Sequence, residues 1–359
     1  MLATIALLAC AFPQQPDPQK LARDYATAVA AVNKANVEKP SAKNETELGN
    51  QLPRPVQKLV PELLKCADAP GTRDALAIAA HAALDLDRMQ DFTAFRDRLA
   101  ALDPELPKDL RLVVSRSRFL ATGIDMEPEG LAEICDLFDI VLDAYRDVFG
   151  FGLEQFTKVP GKKLRLWVHC EPKITKPPHF APEFPFHSQI DFPVLDPKSF
   201  ASPTKDGQFF FYAFCHELGH VVAMWGDTKN EEDRHAWAHY TGVVIVEHIA
   251  NAKKGQPCLD MVRDFRWRSL DVERRRLEAA ATKPGGATTD AVLARFLALH
   301  DAVGPKVIGE AINALDAKDE HLLVNRVRYY SMANLQKALL AKFGKDKAKK
   351  AAIDAAFVD

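Results

Sequence analysis

The chain has 359 residues, 47% of them hydrophobic and 27% charged, with a formal net charge of −2. That length suffices for two domains, or for one catalytic unit with helical extensions, and the composition is that of an ordinary soluble globular protein. The near-neutral balance provides no global field for nucleic acid or acidic lipid, and no apolar run approaches the ~20 residues that span a bilayer.

The first residues, MLATIALLACAF, form a short apolar run with small residues at Ala9, Cys10 and Ala11, followed by the Pro/Gln-rich AFPQQPDPQ. This pattern predicts a secretory signal over residues 1–11 and hence an exported protein, periplasmic or extracellular. Cys10 after Leu-Leu-Ala also resembles a lipoprotein attachment site. The other cysteines are Cys66, Cys135, Cys170, Cys215 and Cys258, with no CxxC pair, so a cysteine-based zinc finger is not expected.

Residues 19–107 read as Ala/Leu-rich helices (LARDYATAVAAVNKA, DALAIAAHAALDLD) broken by proline and charge, an N-terminal helical region. The texture changes at Leu110, where LRLVVSRSRFLATGI predicts one or two strands. A helix follows over about 130–149, with Leu131, Ile134, Cys135, Phe138, Val141, Leu142, Tyr145 and Phe149 on one face and Gly150 and Gly152 ending it. KKLRLWVHC alternates as a half-buried strand, and HSQIDFPV is a second short strand candidate. Two helices then flank the turn chemistry of Gly226–Asn230, the second over about 231–252. Amphipathic helices are expected near 259–282, 288–302, 305–316 and 324–343, and the lysines from Lys342 to Lys350 read as the solvated tail of the last. The fold class predicted is α+β, mainly helical, with a core at 108–255 between helical regions at 19–107 and 256–359.

The feature that points to chemistry is His216-Glu217-Leu218-Gly219-His220. Two histidines at i and i+4 of a helix leave the same face one turn apart and can share one tetrahedral Zn²⁺. Glu217 can then accept a proton from a metal-bound water. The pentapeptide alone would arise by chance in roughly one chain in a hundred of this kind, so its surroundings matter. Phe209, Tyr212, Ala213, His216 and His220 form one stripe, from which Cys215 faces away, a core position. Eight of the eleven histidines lie between His169 and His248.

A zinc site needs a third protein ligand. A further histidine six residues after His220 is absent, since that position is Gly226, so the ligand is sought on the next helix among Glu231, Glu232, Asp233, His235 and His239. Around a turn centred on Thr228, a position near 236 stands opposite His220, which ranks His235 first, Glu232 second and Glu231 third. The acids have an alternative reading as first-turn residues after an Asn230 cap.

Together these residues resemble the gluzincin branch of the zincin metallopeptidases, in which a strand–helix–strand unit precedes an HExxH helix and a later helix carries the third ligand, usually glutamate in an E-G-x-A-x-Y context. His235-Ala236-Trp237-Ala238-His239-Tyr240 is the matching stretch, with His235 where the family has its glutamate, and the resemblance covers roughly 110–252. It implies a zinc-dependent hydrolase of peptide or protein substrates with Glu217 as general base. It also implies an oxyanion donor at Tyr240 or His239, less so at Tyr212, and a substrate-binding edge strand in KLRLWVHC that turns Trp167 and His169 to the cleft. Two other readings stand beside it: a zincin-fold binding or structural protein without proteolysis, and a helical interaction scaffold in which HELGH is accidental.

Overall fold

The computed structural model describes residues 16–38, 52–69, 71–156, 163–170, 179–181, 189–194, 205–222, 224–225, 231–252, 269–281, 288–315, 320–324, 327–330 and 332–357. The apolar start with Cys10, the Asn230 cap and the turn at 226–230 fall outside them, as does Cys258. The chain divides between Leu110 and Arg111 into two compact units, and it is mainly helical with small sheets, an α+β protein. Among the described residues no helix is long and apolar enough to cross a membrane.

The first unit packs α1 (Pro18–Glu38) and α5 (Met89–Leu102) on α4 (Thr72–Asp85), with two short helices, α2 (Arg54–Gln57) and α3 (Leu59–Leu64), alongside. Buried Ala75, Ala79, Ala80 and Ala83 give α4 a smooth face that lets its neighbours come close. The buried Asp91 carboxylate is satisfied by the Tyr25 hydroxyl at 2.9 Å and by Arg88 Nε at 2.5 Å, which meets the requirement that an interior charge be paired.

The second unit opens after a single turn, α6 (Lys108–Arg111), with a five-stranded sheet. Its strands are β1 (Leu112–Ser115), β2 (Phe119–Ile124), β3 (Leu164–Cys170), β4 (His179–Ala181) and β5 (Gln189–Val194), in the order β1-β2-β3-β5-β4. The three inner strands are parallel and both edge strands run antiparallel to them. KLRLWVHC is therefore not an edge strand: β3 is hydrogen-bonded to β2 on one side and β5 on the other, leaving no free edge for a peptide. Arg165 is buried and Trp167 and His169 half-buried on one face of β3, and Leu164, Leu166 and Val168 are fully buried on the other.

Helix α7 (Pro128–Phe149) covers that face, and every residue of its predicted apolar stripe is buried. Proline at its first turn and Gly150 in the left-handed conformation, φ 74°, bound it. Its Phe138 packs between Phe119 of β2 (centroids 4.7 Å apart) and Phe214 of the next layer (4.4 Å). That layer is α9 (Lys205–Val222), preceded by the short α8 (Leu153–Phe156) and followed by β6 (Met224–Trp225) and α10 (Glu231–Asn251). Helix α10 is enclosed by α7, α9 and the later helix Thr288–Val303, which explains why it is apolar nearly all round from Ala236 to Val246.

The helices after residue 255 belong to the same compact unit as the core: α11 (Leu270–Ala281), α12 (Thr288–Val303) and α13 (Pro305–Asn313) all pack onto it. Phe296 of α12 stacks on Tyr240 at 5.4 Å and touches Trp237 at 5.2 Å. The helix expected over 324–343 is shorter. Residues Glu320–Val324 (β7) and Val327–Tyr330 (β8) form a hairpin that pairs with β6, and α14 begins only at Met332 and runs to Phe343. Val324, Val327, Tyr329 and Tyr330 are strand formers that an i, i+3 reading passed over. The lysine-rich stretch is likewise no tail. The Asp346 carboxylate accepts from the Ala348 and Lys349 amides, both at 3.1 Å, and starts a separate helix, α15 (Lys347–Ala356), with its lysines exposed.

Helix α13 crosses the end of α7 at Gly309, where a Cβ would overlap the Phe149 carbonyl oxygen and lie 2.7 Å from its carbon. Gly309→Ala is expected to destabilise the protein by roughly 1–3 kcal/mol, the usual effect of overpacking a tight contact. Urea unfolding measures it, and an unchanged midpoint would refute the close crossing.

Candidate metal centre

Helix α9 is held by its apolar side. Phe211, Phe214, Cys215 and Leu218 are fully buried, and the Tyr145 hydroxyl of α7 donates to the Cys215 carbonyl at 2.5 Å. Burial pushes the Cys215 thiol well up, so it is an inert core group, and the cysteines within the described residues (Cys66, Cys135, Cys170 and Cys215) are all unbridged. With that side anchored, His216 and His220 emerge from the opposite face toward α10.

The two helices meet backbone to backbone because two positions have no side chain. A Cβ at Gly219 would overlap Thr241 Oγ1 and lie 2.7 Å from Ala238 Cα, and one at Gly242 would stand 3.1 Å from the Tyr212 ring and 3.4 Å from His216 Cα. Trp237 Nε1 donates to the Gly219 carbonyl at 3.1 Å and locks the crossing. Neighbours run in opposite order along the two helices, His220 beside His235 and His216 beside His239, so the helices are antiparallel.

This crossing brings His216, His220 and His235 together, with one ligand nitrogen from each all within 4.8 Å of one another. His216 Nε2 and His220 Nε2 are 3.1 Å apart, close to the roughly 3.3 Å that two nitrogens spanning a tetrahedral Zn²⁺ would show. The His220 ring is nearly perpendicular to both others, 81° to His216 and 88° to His235. His220 is buried, His216 half-buried and His235 exposed, so the cluster opens to solvent on the His235 side. Three imidazoles whose nitrogens converge, open on one side, fit a divalent metal with a vacant coordination position. Glu217, next to His216 on the chain, is buried.

The other residues expected at the site separate into three groups. Glu231 and Glu232 start α10, but their side chains lie outside the described residues. Tyr240 is fully buried on a different side of α10, its hydroxyl 3.1 Å from His300 Nδ1 and its ring on Phe296. Burial pushes that hydroxyl well above its ordinary value. His239 is beside the cluster and outside the ligand trio: its Nδ1 bonds the Tyr212 hydroxyl, and its Nε2 is 3.2 Å from Glu273 Oε2. Trp167 and His169 are half-buried on β3.

No protein-family model matches the chain, and no curated protein or solved structure matches it. The site is therefore read from its own chemistry.

Glu273 had no sequence signal, lying in the charged run LDVERRRLE of α11. It is 3% exposed and accepts from Arg276 Nε at 2.8 Å; Arg276 in turn pairs with Asp290 at 2.9 Å. Burial opposes its ionisation, yet the hydrogen bonds and charges of His239 and Arg276 outweigh burial and bring it from 4.5 to about 2. A carboxyl with a depressed folded-state value contributes stability that is complete above its ordinary value and is lost as the pH falls toward 2. Glu273→Gln should therefore remove part of the acid-induced loss of stability between about pH 4.5 and 2, on the order of 3 kcal/mol at most. Urea titrations across that range check this, and superimposable pH profiles for the two proteins would contradict it.

Gly219→Ala should force α9 and α10 apart at the crossing. The expected result is roughly 1–3 kcal/mol less stability together with weakened metal binding, seen by thermal denaturation with and without added Zn²⁺. Unaltered binding would mean that the crossing does not set the cluster.

Proposed function

We propose that this chain is a zinc-dependent metallopeptidase, with His216, His220 and His235 holding one Zn²⁺ and Glu217 serving as general base. The observation that carries the reading is the convergence of three imidazoles from two antiparallel helices, with a glutamate between the first two in HELGH. The succession of strands β1 and β2, helix α7 and strand β3 ahead of the HExxH helix, with a ligand-bearing helix after it, is the further likeness to the gluzincin branch. Glu232, then Glu231, are the alternative third ligands.

A Zn²⁺ in this trio would supply a Lewis acid and lower the pKa of a coordinated water to near 7. Glu217 accepts the proton of the attacking water and later delivers it to the leaving amine, a transfer worth about 10²–10⁴-fold in rate. Its place on the chain beside His216 holds it at the cluster without a flexible loop. The exposed His235 side is the approach for an extended peptide or protein substrate. Among the described residues the Tyr212 hydroxyl is a tyrosine oxygen close to the cluster, 3.4 Å from His216 Nδ1, whereas Tyr240 is fully buried with its hydroxyl 3.1 Å from His300 Nδ1. The reading includes export, from the apolar start with its small-residue cleavage zone and Cys10 as an alternative lipid site.

Zinc analysis and cleavage of a mixed peptide library, followed by mass spectrometry, test this directly. Glu217→Gln should retain one equivalent of zinc and lose about 10²–10⁴-fold in turnover, and His216→Ala should lose both metal and turnover. Full activity in the Glu217 variant would end the peptidase reading; zinc without cleavage in the wild type would leave a metal-binding protein.

A further inference from the structure

The last turns of three helices meet around a cavity of about 380 Å³. Asp147 and Val148 come from the end of α7, His248 from the end of α10 and His300 from the end of α12. The first turns of α11 and α13 close it, through Leu270 and Lys306. Glu247, on the cavity wall, lies more than three turns of α10 beyond His235, about 18 Å by helical rise. The cavity is thus a place apart from the histidine cluster. Its volume falls within the roughly 300–1,000 Å³ of small-molecule pockets, and buried Val148, Val244 and Leu270 give it an apolar lining.

The sign of charge it would accept follows from what surrounds it. Helix carbonyl ends are negative, and three converge here. Of the two opposing amino ends, that of α11 is already taken up, since the Leu270 amide donates to Glu247 Oε2 at 2.8 Å. That of α13 begins with Pro305, which has no N–H. At the mouth, exposed Asp147 and Lys306 offset each other. This leaves Glu247, a half-buried carboxylate that pairs with no lysine or arginine among the described residues. His300 adds no positive charge at neutral pH: burial holds its ring below the ordinary value, and its Nδ1 stands 3.1 Å from the Tyr240 hydroxyl. A metal ion is not the fit, because among the described residues only His216, His220 and His235 bring three ligand atoms within 4.8 Å of one another.

We propose that this cavity is a second binding site, for a small organic cation: an alkyl or aryl group bearing a protonated amine or amidine. The Glu247 carboxylate receives the charged end, with the helix carbonyl ends behind it, and Val148, Val244 and Leu270 receive the apolar body. The site needs neither zinc nor peptide cleavage, so it stands whether or not the chain is a peptidase.

Benzamidine is a suitable probe, and benzamide, uncharged and of the same shape, is its control. Both are titrated into the full chain at low salt, with affinity measured by calorimetry and location by ¹H–¹⁵N amide shifts. Benzamidine should bind one per chain and shift the amides of Glu247, Leu270 and His300, and benzamide should bind at least about tenfold more weakly. Glu247→Gln keeps an oxygen for the Leu270 amide and should weaken benzamidine about 10–100-fold while leaving benzamide unchanged, a split that loosened packing would not produce. Lys306→Glu, exposed at the mouth, should bind benzamidine about two- to fivefold more tightly, a gain that added salt removes. Equal affinity for the two probes, shifts confined to other residues, no binding, or benzamidine affinity unchanged in whichever variant folds would overturn the proposal.

Discussion

The close antiparallel crossing of the HELGH helix and the helix after it is the constraint on which the rest of the second unit depends. Gly219, the only residue of the pentapeptide without a side chain, lets Ala238 and Thr241 reach the backbone, and Gly242 does the same for Tyr212 and His216. At a wider spacing His235 could not join His216 and His220. The glycine is thus as much a part of the candidate site as the histidines: they supply nitrogen, and it supplies the distance. The Trp237 bond to the Gly219 carbonyl closes the same contact with a polar group that would otherwise need solvent.

The layers around this pair hold it from both sides. Helix α7 is pressed between the sheet and α9 through Phe119, Phe138 and Phe214, and Tyr145 ties it to the α9 backbone. On the other side, the stack of Tyr240, Phe296 and Trp237 holds α10 against α12. Apolar packing therefore fixes the backbones, and the histidine cluster lies in the seam between α9 and α10. Polar contacts continue from that seam through Tyr212 and His239 to Glu273 and Arg276 of α11.

The strongly periodic parts of this architecture were legible in the sequence. The α7 stripe, the strands before and after it, and the two helices flanking Gly226–Asn230 all lie where hydrophobic spacing puts them, because each buries one face against a neighbour. His216, His220 and His235 come together as helical spacing and hairpin register imply. Four things were not legible. The central place of β3 depends on strand order, which alternation within one strand does not encode. The β7–β8 hairpin is short, and in so short a segment helix and strand patterns overlap. Tyr240 carries the same residue type whether it lines a site or a core; its partner His300 decides, and that lies 60 positions away. Glu273 is hidden for the same reason, its burial arising from tertiary contact alone.

The most direct test of the account is a crystal of the zinc-loaded protein measured at the zinc absorption edge. The account predicts one anomalous peak per chain, bonded to His216 Nε2, His220 Nε2 and a His235 nitrogen and reachable by solvent on the fourth side. A peak elsewhere, or three histidines with no ion between them at saturating zinc, would contradict it.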